Sequence, residues 1–145
     1  MARSDINHVL PSVAHAIATL DDANTFTNTL TLDGAALVVS HETVDAGNGG
    51  GNATALSTST YVSFVSTATS KSHVSLADGV TGQIKVIVHK ARANTTDLVI
   101  TPANFAAGST LTSNLPARSV TLMFDGTNWQ VIAGEITGLA EMVIG

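Results

Sequence analysis

Five histidines are the side chains best suited to acid–base work or metal binding in this chain: His8, His15, His41, His73 and His89. A metal site needs such ligands at a spacing that brings them to one point. His41-Glu42 opens like the zinc motif His-Glu-x-x-His, but Asp45 stands where the second histidine belongs. His8 and His15 lie one heptad apart, which on a helix is a weak ligand pattern. Asp21-Asp22 and Asp45 lack the spacing of a calcium-binding loop. Serines are many, yet no Gly-x-Ser-x-Gly elbow offers one as a nucleophile. The run Gly49 to Gly51 lacks the following lysine and helix of a phosphate-binding loop. With no cysteine there is no thiolate chemistry and no disulfide. Asn52-Ala53-Thr54 and Asn94-Thr95-Thr96 fit the glycosylation sequon and read as polar loops. The expectation is a non-enzyme with no cofactor and no metal, its histidines on a surface or an interface.

Composition agrees with a protein that works through surfaces. The chain has 145 residues, enough for one domain with an arm. Charged residues make up only 12 %, about half the usual share. Thr, Ser, Ala, Gly and Asn fill the gap, so the surface is rich in hydroxyls and suits packing against neighbours. Net charge is −5, and Lys85 to Arg92 forms the only loose basic cluster. A nucleic-acid partner is excluded by the missing basic stripe and by the scarcity of aromatics for base stacking. Asp5, His8 and His15 interrupt any signal-type apolar run, and no stretch has the ~20 apolar residues of a membrane helix. The expectation is a soluble chain made in the cytoplasm, with no membrane partner.

The elements that would position these side chains read as β. Residues 1–24 form an expected N-terminal arm, extended or with one or two helical turns after Pro11, with Val9, Val13, Ala16, Ile17 and Leu20 on a narrow, partly alanine face. Residues 25–145 form the expected β domain. Asp33-Gly34 predicts a first hairpin, with Ala36–Val39 as its returning strand. The stretch Asp45 to Leu56 reads as a flexible loop or a contact loop, and Thr58–Val65 resumes β character. Further strands are predicted at His73–Leu76, Ile84–His89, Leu98–Thr101, Thr110–Thr112, Val120–Phe124 and Trp129–Ile132. In the first of the long ones, Ile84, Val86 and Val88 alternate with Lys85 and His89, although Ile87 makes the second face partly apolar too. Asp125-Gly126-Thr127-Asn128 closes the last hairpin. Short strands with turns every 8–12 residues predict an all-β fold, a β-sandwich or jelly-roll-like barrel of short antiparallel strands. Trp129, Phe124 and Leu122 are the expected core anchors, with a sugar-binding platform as the sharper alternative for Trp129.

Within Ser75–Gly134, SLADGVTGQIKVIV, TPANFAAGSTLT and SVTLMFDGTNWQVIAG resemble a module, here about residues 73–134, found in structural proteins of tailed bacteriophages. Asp78, Gly79, Gly82, Gln83, Thr101, Pro102, Gly108, Thr110, Phe124, Gly126 and Trp129 carry the resemblance. It implies a virion structural protein, most like a capsid decoration (cement) protein on the outer surface of the head. The implied partners are the major capsid protein and sister subunits, with a homotrimer suggested. A head- or tail-fibre module binding a host surface glycan is the alternative. Val9, Leu10, Ile17, Val143 and Ile144 are the expected apolar contacts to capsid or sister subunits, because they cluster near the chain ends.

Overall fold

The computed structural model of the protein describes residues 38–49 and 51–134, which belong to a compact unit beginning at Val38. The expected arm, the Asp33-Gly34 turn and the contact residues Val9, Leu10, Ile17, Val143 and Ile144 lie outside the described residues. Nine strands run through the described part: β1 (His41–Asp45), β2 (Thr54–Leu56), β3 (Val62–Thr67), β4 (His73–Leu76), β5 (Ile84–Arg92), β6 (Leu98–Pro102), β7 (Leu111–Ser113), β8 (Ser119–Phe124) and β9 (Trp129–Gly134). No helix occurs among these residues. The fold is all-β, and β4 to β9 coincide with the predicted runs to within a few residues.

Two of the early elements differ from expectation. Val38 and Val39 carry no strand, and the first described strand starts at His41. The glycine-rich segment read as a loop contains β2 at its end. Its start is also anchored: Gly47 N–H donates to the His73 carbonyl, and the N–H groups of Ser72 and His73 donate back to Gly47, each at 2.9 Å.

The strands form two mixed sheets, ordered β1-β3-β5-β8-β9 and β2-β4-β6-β7. From β1 to β6 the chain alternates between the sheets. Strands two apart in sequence are therefore neighbours, and they run parallel. Val62 pairs with His41 on one side and Val86 on the other; Leu76 lies between Leu56 and Pro102. After β6 the direction reverses. β7 pairs antiparallel with β6, β8 with β5, and β9 with β8. Antiparallel pairing was the expectation throughout, and it holds only for these last three pairs. The reason lies in the connectors. Each early connector carries the chain across to the other sheet, so the crossover between parallel neighbours is itself a strand of that sheet.

Both sheets contribute to one core. Val65, Ile87, Val120, Leu122, Phe124 and Trp129 enter it from the first sheet; Leu56, Val74, Leu76, Leu98, Ile100 and Leu111 enter it from the second. Period-two alternation selects them, as in β8, where Val120, Leu122 and Phe124 point in while Thr121 and Met123 point out. β5 is the exception to the hydropathy pattern. Lys85, Ile87 and His89 face inward, whereas Ile84, Val86 and Val88 face outward. Sequence pattern alone assigns the opposite faces.

Trp129 closes one end of this core. Its ring is 0 % exposed and packs on Phe124 with centroids 5.3 Å apart. Its indole N–H donates to the Ala77 carbonyl at 3.0 Å. Gly79 lies directly against the ring: a Cβ there would sit 3.0 Å from Cζ2 and 2.6 Å from the Gln83 amide oxygen. Gln83 in turn accepts from Val80 N–H at 2.9 Å and donates to the Thr58 carbonyl. Gly82 donates to Phe124 O at 2.8 Å with a positive φ of 84°. Trp129 N–H donates to Asn104 O at 2.8 Å, and the Asn104 amide donates to Asp78 at 2.8 Å. Trp129 thus ties three segments together, the β4–β5 connector and the β8–β9 hairpin through its ring and the β6–β7 connector through its backbone.

Trp129→Ala removes the ring against which the β4–β5 connector and Phe124 pack. The expected cost is about 3–5 kcal/mol, the range for emptying a large aromatic site in a core. Urea melts check it; a loss below about 1 kcal/mol would reject the closure role.

Candidate functional site

The inward side chains of β5 are the chemically richest set among the described residues. Lys85 is reached from three directions. Its ammonium donates to Ser57 O at 2.7 Å, to Thr60 O at 2.8 Å and to Thr60 Oγ1 at 2.8 Å. Glu42 Oε1 stands 3.4 Å away, with side-chain exposures of 0 % for Lys85 and 18 % for Glu42. Ser63 Oγ and the Ser57 N–H also donate to that carboxylate oxygen. The register explains the meeting: Glu42 pairs with Ser63, Ser63 pairs with Ile87, and Lys85 stands two residues before Ile87 on the same inward face of β5. The cation, strand β1 and the Ser57–Tyr61 connector are thereby stapled together.

Burial pushes the Lys85 pKa below its ordinary value, and the Glu42 charge works against that shift. For Glu42, burial raises the carboxyl, but hydrogen bonds from Ser63 and the Ser57 backbone, with the Lys85 charge, outweigh it and leave it below normal. A lysine with its three donors engaged and no exposed surface is a fixed structural cation. It is poorly placed for attack on any substrate.

His89 occupies the other end of the same inward row. Its ring is buried between two hydroxyls, Thr67 Oγ1 at Nε2 and Ser113 Oγ at Nδ1, both 3.2 Å away. Thr67 is on β3 of the first sheet, while Ser113 is on β7 of the second, so the imidazole links the two sheets. Each hydroxyl also lies near a carbonyl, Thr96 O at 3.0 Å and Leu115 O at 3.1 Å. A neutral ring donates from one nitrogen and accepts at the other, which orders the two hydroxyl protons. Desolvation, then the Arg92 charge, holds the His89 pKa below its usual value. Arg92 continues the network, with its guanidinium 2.7 Å from Asp97 and bonded to the Thr95, Thr96 and Asn114 carbonyls.

The expected surface histidines are therefore corrected at His89, which is in the core. His41 is exposed on β1, its ring edge-on to Phe64 with centroids 6.0 Å apart. His73 is half-buried, with Nδ1 2.8 Å from Ser72 Oγ and Gly49 against its ring. His8 and His15 lie outside the described residues. Among the described residues no group of three His, Cys, Asp or Glu could hold a metal ion. Trp129, Phe124 and Leu122 are all buried, so the indole offers no platform to a sugar. Sequence reasoning missed Lys85 and His89 as interior groups. The available signal was Ile87 between them, an apolar residue on what otherwise reads as the polar face.

The two outward sheet faces differ in character. The second sheet presents Ala55, His73, Ser75, Val99, Thr101 and Thr112. The first presents Val62, Phe64, Ile84, Val86, Val88 and Met123 side by side. No protein-family model matches this chain and no curated protein matches it, so function has to be argued from these surfaces and the interior.

A pH dependence follows from the buried groups. His89 has a lowered folded-state pKa, so between that value and about 6.5 the unfolded chain binds a proton that the folded one refuses. Stability is full above about pH 6.5 and falls as pH drops toward the folded value. Glu42 adds a second loss below about pH 4.5, lowered in the same sense. Urea melts from pH 7.5 to 5 are expected to show the first decline, and His89→Gln is expected to flatten it. Equal slopes in both proteins would remove His89 as the cause. Lys85→Met, which strands the Ser57 and Thr60 carbonyls and Glu42, is expected to cost about 3 kcal/mol at pH 7; Glu42 is partly exposed, which keeps the value at the low end for a broken buried pair.

Proposed function

We propose that this chain is a virion structural protein, a capsid decoration protein that binds the outer surface of a phage head and stabilises it. The observation that carries the reading is the use made of the module's signature residues. Asp78, Gly79, Gly82, Gln83 and Trp129 all serve the Trp129 closure, and Gly126, at φ 103°, turns the hairpin against Thr81. These signature residues thus serve a rigid lock between loops, as a surface module under mechanical load requires. We read the two sheets as the layers of a sandwich, with function on their outer faces and no catalysis. The fibre alternative loses its best platform with Trp129 buried; among the described aromatic side chains Tyr61, at 38 % exposure, is the most open to a glycan.

A protein that binds only the assembled shell stabilises it by mass action. Since the chain is poor in charge, attachment is expected to depend weakly on salt. The test strips the protein from particles and measures genome release on heating, with and without added protein, at low and high salt. A higher release temperature with protein at both salt levels is expected. Equal temperatures overturn the reading, and binding of the free protein to host cells would favour the fibre alternative.

A further inference from the structure

We propose that the outward face of the β1-β3-β5-β8-β9 sheet is a self-association surface, and that its occupant is a second copy of this chain. The face is built by register. Val62 lies beside Val86, Phe64 beside Val88, and Ile84 beside Met123, so β3 and β5 present an apolar patch that Met123 extends onto β8, where Thr121 and Ser119 border Val86 and Val88. All six side chains are half-buried, and Gln130 on β9 stands beside Met123 at the edge of the patch. β5 is apolar on this outward face, while its inward face carries Lys85, Ile87 and His89. A run of apolar side chains on the outward face of a sheet is usual where that face is covered.

Three properties select a second copy. The centre of the face carries no charge, and His41, Asp45 and Lys90 stand only at its margins. Two copies can therefore meet with no like charges opposed, and a two-fold axis would make the contact self-complementary. Sheet faces also stack naturally, about 10 Å apart. Size decides the strength. Five strands about 4.8 Å apart and about 18 Å long give about 400 Å² per copy. A face-to-face pair then buries on the order of 800–1,000 Å², below the range of stable interfaces and within that of weak, transient ones. The contact is weak and concentration-dependent. The opposite sheet's outward face, with His73, Ser75, Thr101 and Thr112, offers no comparable patch.

The decoration reading supplies the setting in which copies would crowd together, but the association is measured in solution without any capsid. Its failure and the failure of that reading are therefore separate results. Sedimentation velocity of the full chain from about 1 µM to 1 mM is expected to show self-association with a Kd between about 10 µM and 1 mM, as suits an interface this small. Val86→Thr with Val88→Thr keeps β-branched side chains of similar shape and is expected to weaken association at least about tenfold, because each copy loses apolar contact. Val99→Thr on the other sheet is the control and is expected to leave it unchanged. Thermal melts confirm that each variant is folded, and Phe64→Thr replaces the pair should the pair unfold. A monomer up to 1 mM, association indifferent to the face substitutions, or an equal effect from Val99→Thr overturns the proposal.

Discussion

The orientation of β5 constrains everything around it. Successive side chains of a strand point to opposite faces, so a strand that sends Lys85 and His89 inward must send Ile84, Val86 and Val88 outward. The inward choice is costly unless every polar atom finds a partner. Here the ammonium meets two carbonyls, a hydroxyl and a carboxylate, while the imidazole meets two hydroxyls. Among the described residues no buried side-chain nitrogen or oxygen is left without a hydrogen bond. A slip of β5 by one residue would put Ile84, Val86 and Val88 among those polar partners and strand all of them. The buried polar groups thereby fix register in a sheet whose parallel neighbours are otherwise similar apolar and hydroxyl-bearing strands.

The alternating course of the chain gives those groups their partners. Ser57 and Thr60 belong to the connector between β2 and β3, and Thr96 to the one between β5 and β6. In a hairpin fold such connectors would turn back within one sheet. Here each crosses from sheet to sheet, so its carbonyls pass over the edges of the core, where interior cations can reach them. Arg92 does the same nearer the surface. At the Lys85 end Trp129 adds an indole N–H and a glycine cut close to its ring, and Gln83 joins that closure to the Ser57–Tyr61 connector through the Thr58 carbonyl. Lys85 and Trp129 hold the connectors at one end of the core, and Arg92 holds those at the other.

Much of this was legible in the sequence. Period-two patterning and Asp-Gly turns located β4 to β9, and Trp129, Phe124 and Leu122 fall in the core. Pairing direction was hidden, because strands at 8–12-residue spacing suit hairpins and sheet-to-sheet crossings equally. β2 was hidden because Thr54-Ala55-Leu56 has a single large apolar side chain, Leu56, and follows a glycine run. β1 was obscured by its likeness to a metal motif. The faces of β5 were inverted because hydropathy treats a charge as an outward residue. It cannot register a carboxylate two strands away or carbonyls on a distant connector, which are what make the inward position tolerable.

The apolar outward face is the consequence that reaches beyond the single chain. At about 25 cal/mol per Å², covering on the order of 800–1,000 Å² would gain at most about 20–25 kcal/mol were all of it apolar, and the outward Thr43, Ser66, Ser119, Thr121 and Gln130 reduce that. Bringing two free molecules together costs about 4–15 kcal/mol or more in lost motion, and ordering side chains and desolvating the polar margin cost more. The balance for two free copies is therefore slight. It changes when the copies are already held side by side, because much of the lost motion has then been spent on the first attachment and the second contact acts at an effective concentration near millimolar. A face too small to hold a pair in dilute solution is well suited to joining neighbours on a common support. That is the physical link between the inward Lys85 and His89 of β5, the apolar patch on its outward side and a protein whose proposed work is to consolidate a shell.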